Sequence, residues 1–247
     1  MAEASIRVRD VRASSGPGWL AGGWRHFRRA PLVWAGLSAG WMMITLALVM
    51  VPLVGGVVAN LLQPVFFASF AITARKQLAG EAPEMGDLFL GFKRPLRALL
   101  NLGAILLAAE LAIILLLTML GLPGAGDEEI ATVADYVRLL KGKEWILVVG
   151  FVLTAVVKGA LWFAPALLAF HDLSTAHAVR WSLFAAVSNV GAMVAYGVAL
   201  TVVFVAGALP WGLGLIVAIP MMVASTYTGY ADVFEETAPA EEDATPA

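Results

Sequence analysis

Two ionisable residues lie where a bilayer makes charge costly. Glu110 interrupts the apolar run "NLGAILLAAELAIILLLTML" at residues 101–120, and Lys158 interrupts "LTAVVKGALWF" in another. A charge at the bilayer centre costs about 2.5–3.5 kcal/mol on insertion scales, so such a group is absent, paired or functional. Glu110 falls about 11 residues past Leu99, roughly 16 Å into a helix at 1.5 Å per residue. Lys158 falls about 13 residues past Trp145, roughly 19 Å in from the opposite face. Across ~30 Å of hydrocarbon the two reach a similar depth on consecutive antiparallel spans, which predicts a Glu110–Lys158 pair. Such a pair either orients two helices and cancels charge, or relays a proton or ion. The structural role is favoured, because the other polar span residues (Asn60, Gln63, Thr118, Thr154 and Thr201) are scattered along the chain.

Three prolines, Pro64, Pro165 and Pro220, fall inside apolar runs. Each removes a helical hydrogen bond and bends its span, either as a hinge beside a site or to tighten packing. His26, His171 and His177 offer no metal site. There are no cysteines, and His171 and His177 are six residues apart, off a common helical face. "HDLSTAH" reads instead as a turn, with Asp172 or Ser174 capping the following helix. No nucleophile elbow, phosphate loop, dinucleotide fingerprint or metalloprotease helix is present. The sequence therefore predicts no enzyme activity, no cofactor, no metal and no nucleic-acid partner.

The elements that hold these residues follow from composition. The 247 residues are 60% hydrophobic and 14% charged, against about 25% charged in soluble domains. Lipid is the solvent such a chain needs. Six spans are expected, at about Leu32–Val51, Val54–Thr73, Leu99–Leu120, Trp145–Phe170, Val190–Leu209 and Leu213–Tyr230. The turns "VPLVGG" and "LPWGLG" divide the first and last pairs. With the N-terminus inside, twelve Lys and Arg flank the cytoplasmic ends, and Arg138, Lys141 and Lys143 lie outside. That bias predicts an inner-membrane protein with both termini cytoplasmic. The 121–144 loop then lies outside the cytoplasm, with a short helix from about Asp127 to Leu140.

Amphipathic segments precede alternate spans. "GWLAGGWRHFRRAPL" carries Leu20, Trp24, Phe27 and Pro31 at helical spacing. "PEMGDLFLGFKRPL" carries Met85, Leu88, Phe89 and Phe92, and "STAHAVRWSLFAAVSN" carries Val179, Leu183 and Val187. These predict interfacial helices. Arg25, Arg28, Arg29, Lys93, Arg94 and Arg97 are expected to contact lipid headgroups. Most tryptophans, Trp19 and Trp162 among them, fall near span ends as interfacial anchors do. Gly191, Ala195 and Ala199 at i, i+4, i+8 predict close helix approach.

The expected fold is thus all-α and integral to the membrane, with six transmembrane helices in three hairpins, each preceded by an amphipathic interfacial helix. The expected division is a cytoplasmic N-terminal segment (1–18), a transmembrane domain (19–231) and a disordered acidic tail (232–247). That tail holds six acids and no base, which leaves the body at +4 against a whole-chain −2. Membrane lipids are the expected partners, with a membrane-protein partner or a second copy. The expected role is a non-enzymatic subunit or organiser of a membrane assembly. The alternative is a carrier or channel using the kinked helices and the charge pair.

"GW..FRRAPL", "VPLVGGVVANLLQPVF", "ARKQLAGE" and "DLFLGFKRP" together resemble an uncharacterised family of six-span proteobacterial inner-membrane proteins. The threefold layout is more distantly similar to the membrane domain beside some bacterial glycerophosphodiester phosphodiesterases. The first resemblance implies an integral membrane protein, and the second is one of layout alone, carrying over no catalytic residue.

Overall fold

The computed structural model describes residues 6–123, 132–209 and 211–234. The described residues form helices and no strands. The helices are α1 (Ser15–Arg29), α2 (Pro31–Val49), α3 (Gly55–Leu78), a 3-10 helix (Met85–Lys93), α4 (Leu96–Met119) and α5 (Val133–Leu140). They continue with α6 (Trp145–Ala160), α7 (Ala164–Phe170), α8 (Thr175–Ser188), α9 (Val190–Ala208) and α10 (Leu215–Val233).

Three units share one order: a short lead helix, an outer helix and an inner helix. They are α1–α2–α3, then the 3-10 helix with α4 and α6–α7, then α8–α9–α10. The inner helices α3, α7 and α10 pack against one another. Each lead helix crosses the inner helix of the preceding unit, so α1 packs on α10, the 3-10 helix on α3, and α8 on α7. The ring therefore closes between the last unit and the first.

Close backbone approach fixes two of these crossings in the same way. A Cβ at Gly23 would meet the Met221 carbonyl oxygen at 2.1 Å, and one at Gly91 would meet that of Val65 at 2.0 Å. Met221 follows Pro220, and Val65 follows Pro64. A serine stands one turn on in both cases, Ser225 and Ser69, each beside the crossing glycine. The Gly91 amide donates to Ser69 Oγ at 2.8 Å. The sequence pattern Pro-x-x-x-x-Ser is thus the footprint of one repeated helix crossing.

Among the described residues five helical segments are long and apolar enough to cross a membrane: Pro31–Val49, Gly55–Leu78, Leu96–Met119, Trp145–Phe170 and Val190–Ala208. The expected sixth, α10, has 19 residues but carries Ser225, Thr226, Tyr227 and Tyr230 on its buried side. It is covered by α1, α2, α3 and α9, so protein rather than lipid surrounds its polar groups. α3 and α10 pass through Pro64 and Pro220 without ending.

The fourth span differs from expectation. It breaks after Ala160 and restarts at Ala164, and Pro165 sits in the first turn of α7 rather than kinking a continuous helix. A proline there loses no hydrogen bond, because first-turn amides have no intrahelical acceptor. Ser182 on α8 serves both sides of the break: its hydroxyl donates to Ala160 O at 2.8 Å and accepts from the Phe163 amide at 3.1 Å. Ser182→Ala would leave two buried backbone groups unpaired. It is expected to destabilise the protein by about 1–3 kcal/mol, measurable as a fall in unfolding midpoint in nanodiscs, with Ser188→Ala as the neutral control.

Other boundaries move for local reasons. The Met85–Lys93 segment winds as a 3-10 helix, opened by a reciprocal Glu84–Asp87 capping box. Lys76 holds the same Asp87 at 3.1 Å, tying the segment to α3. α5 begins at Val133 behind its Thr132–Asp135 capping box. Its expected start at Asp127 lies outside the described residues. Residues 15–18 already belong to α1, and Asp232 to α10, while the remainder of the expected acidic tail, 235–247, lies outside the described residues.

The buried faces also differ from the apolar stripes. α1 buries Gly16, Trp19, Leu20, Gly23 and Phe27, leaving Trp24 exposed. Trp19 is core, 2% exposed, and not an interfacial anchor. α8 buries Ala178, Ser182 and Ala185, and turns Leu183 and Val187 outward. α9 buries Ala192 and Tyr196 rather than the Gly191–Ala195–Ala199 stripe. α8 buries small residues alone, whereas α1 and α9 bury glycine or alanine at the close approaches with aromatic side chains beside them.

Candidate functional site

Glu110 projects from α4 and Lys158 from the last turn of α6, and the structure brings them together at 2.5 Å. Gln63 on α3 joins them, its Oε1 accepting from Lys158 Nζ at 3.4 Å. Sequence spacing gave no reason to group Gln63 with the pair. It stands immediately before Pro64, so the polar cluster adjoins an inner-helix proline. The side chains of Lys158 and Glu110 keep 37% and 26% of their surface accessible. The flank around them is apolar: Leu111, Ile114 and Val156 are exposed on the same two helices. The arrangement is a compensated charge on the side of a span, with one amide as further partner.

Pro64, Pro165 and Pro220 are all buried, among fully buried Val65, Leu167, Leu168 and Val223. The six basic residues expected at headgroups are all exposed: Arg25, Arg28 and Arg29 at the end of α1, and Lys93, Arg94 and Arg97 around the start of α4.

A second polar centre gave no sequence signal. Gln77, near the end of α3, accepts at Oε1 from His26 Nδ1 at 2.7 Å and from Trp34 Nε1 at 3.2 Å. Its Nε2 donates to the His26 carbonyl at 3.3 Å. Three residues distant in sequence thereby lock α1, α2 and α3 together.

Burial holds the His26 pKa below its ordinary value; the hydrogen bond to Gln77 opposes this, and Arg29 and Arg25 reinforce it. The folded state thus favours neutral imidazole. The stability this gives is full above the unfolded pKa of about 6.5 and is lost as pH falls through the lower folded value. Unfolding midpoints measured from pH 7.5 to 5 should fall in the wild type and flatten in His26→Gln.

The N-terminal strap is also fixed. Asn189 accepts from the Val11 amide at 2.7 Å and donates to Arg9 O at 3.1 Å. Arg9 pairs with Asp232, which also accepts from Trp19 Nε1 at 2.8 Å. His171 meets the Tyr230 hydroxyl at 2.7 Å. Ser174 caps α8, accepting from the His177 amide at 3.4 Å. Among the described residues no cluster of three His, Asp or Glu side chains is placed to hold a metal.

No family model matches the chain, and no solved structure matches it. The chain is similar to a protein of Burkholderia thailandensis described as a probable inner membrane protein. The two are 28% identical over 251 aligned residues, covering 93% of this chain and 92% of that protein.

Proposed function

We propose that this chain is an integral inner-membrane protein that works without catalysis, as a subunit or organiser of a membrane assembly. The observation that carries this reading is the packed centre. The three inner helices pack on one another, and Pro64, Pro165 and Pro220 are buried beside apolar side chains rather than set on an accessible polar surface. The similarity to a probable inner membrane protein and five membrane-length apolar helices support the bilayer setting. In this reading α10 is a sixth, protein-sheltered crossing, and the three units are three hairpins. The excess of Lys and Arg supports a cytoplasmic side for both termini. Headgroup contact falls to Arg25, Arg28, Arg29, Lys93, Arg94 and Arg97.

The part-exposed Glu110–Lys158 pair fits the same role. A compensated charge on an otherwise apolar flank offers a polar contact to a partner helix, where an interhelical hydrogen bond contributes about 1–2 kcal/mol. A carrier is the second reading, favoured by the same cluster with Gln63.

Extraction in native nanodiscs followed by mass measurement tests the choice. A complex of fixed stoichiometry that Glu110→Gln weakens is expected for an assembly subunit. A monomer that dissipates a proton gradient in liposomes would replace that reading with the carrier.

A further inference from the structure

A cavity of about 100 Å³ opens between the C-terminal half of α1 and the ends of α3 and α10, with Arg25, His26, Arg29, Thr228 and Leu78 in its wall. Its chemistry is that of an anion site. Arg25 and Arg29 stand one turn apart on one helix face, and neither has a carboxylate partner among the described residues. The nearby acid, Asp232, is engaged by Arg9 and Trp19. Thr228 Oγ1 is buried and makes no hydrogen bond. Gly22 is packed against that side chain, since a Cβ there would meet Thr228 Cγ2 at 2.4 Å. The cavity wall thus carries two guanidinium groups and an unpaired hydroxyl, and among the described residues no carboxylate lines it.

We propose that this cleft binds a phosphate group. Two guanidinium forks suit a tetrahedral oxyanion, which accepts paired N–H donors on more than one edge. The hydroxyl supplies a further donor, and binding would satisfy it. Exposed Trp24 and Leu78, 39% and 56% accessible, give apolar surface beside the cleft. That surface suits the chain-bearing side of an anionic phospholipid, although a free phosphate shares the same recognition. The site deepens the bilayer reading above and rests on it only for the lipid source.

The full-length protein, delipidated in mild detergent, is titrated with phosphatidic acid, with phosphatidylcholine and with inorganic phosphate. Retained ligand is read by native mass spectrometry. Arg25→Gln/Arg29→Gln is expected to weaken phosphatidic acid about tenfold, while Arg7→Gln/Arg12→Gln, with the same change in charge, weakens it about twofold or less. Thr228→Val is expected to weaken it about threefold. Binding of phosphatidic acid that millimolar phosphate does not displace identifies a lipid. Binding of phosphate alone, with the same dependence on Arg25 and Arg29, identifies a soluble anion. Equal loss in the two double variants, or equal retention of phosphatidylcholine, would overturn the site. The assembly reading fails separately, by a monomer in native nanodiscs.

Discussion

Glu110→Gln and Lys158→Met are each expected to lower stability in nanodiscs by about 2–3 kcal/mol, and the double variant by clearly less than their sum. The reason lies in what each single variant leaves behind. Removing the carboxylate strands an ammonium on an apolar flank, and removing the ammonium strands a carboxylate. Gln63 alone, at 3.4 Å, is a poor substitute partner for Lys158. Removing both leaves neutral side chains that lipid tolerates. Leu111, Ile114 and Val156 are exposed on the same two helices, which suits a bilayer rather than water around the pair, where salt screening is weak. In detergent, where water reaches the flank, the single losses should shrink toward about 1 kcal/mol. A coupling energy of about 1–2 kcal/mol is the expected reading of the cycle. Strict additivity would mean that the contact contributes nothing.

The second large effect concerns methyl groups. Gly23→Ala and Gly91→Ala are each expected to destabilise by about 2–3 kcal/mol, the scale of overpacking in a close crossing. In each case the new Cβ meets a backbone carbonyl oxygen at about 2 Å, and a backbone cannot rotate aside as a side chain does. Gly18→Ala, on the same helix as Gly23, meets nothing within 4 Å and is expected to stabilise by about 1 kcal/mol through helix propensity. Unfolding midpoints of the three variants compare the two effects directly. If Gly23→Ala proved as benign as Gly18→Ala, α1 would not cross α10 as described. Gly91→Ala carries a second consequence, because displacing that segment weakens the amide bond to Ser69.

These two cases mark how far the chain could be read before its structure was known. Glu110 and Lys158 paired on paper because depth in a bilayer is one-dimensional: 1.5 Å per residue from each span end brings two positions level. Consecutive spans are also neighbours, so little else was needed. Gln63 reads from the sequence as one of several scattered polar span residues, because depth says nothing about which side of α3 faces α6. The helices themselves followed from apolar length, and the lead segments from their charge pattern. Their buried faces did not, because the largest residues draw the eye. Helix crossings here place small ones at the closest approach: Gly23 over Trp24 in α1, Ser182 over Leu183 in α8, and Ala192 over Val194 in α9.

Composition and local spacing alone settled that the chain is helical, that most of it needs an apolar solvent, and that it carries one acid and one base at a shared depth. Those properties are sums over neighbouring residues, and neighbours in sequence carry them. Tertiary structure alone decided that α10 can be polar because α1, α2, α3 and α9 cover it, that Ser182 bridges a broken helix, that Gln77 joins His26 to Trp34, and that Arg25, Arg29 and Thr228 share one cleft. Each of those depends on residues far apart in the chain meeting at a particular rotation and crossing of two helices, and no periodicity within one helix encodes that.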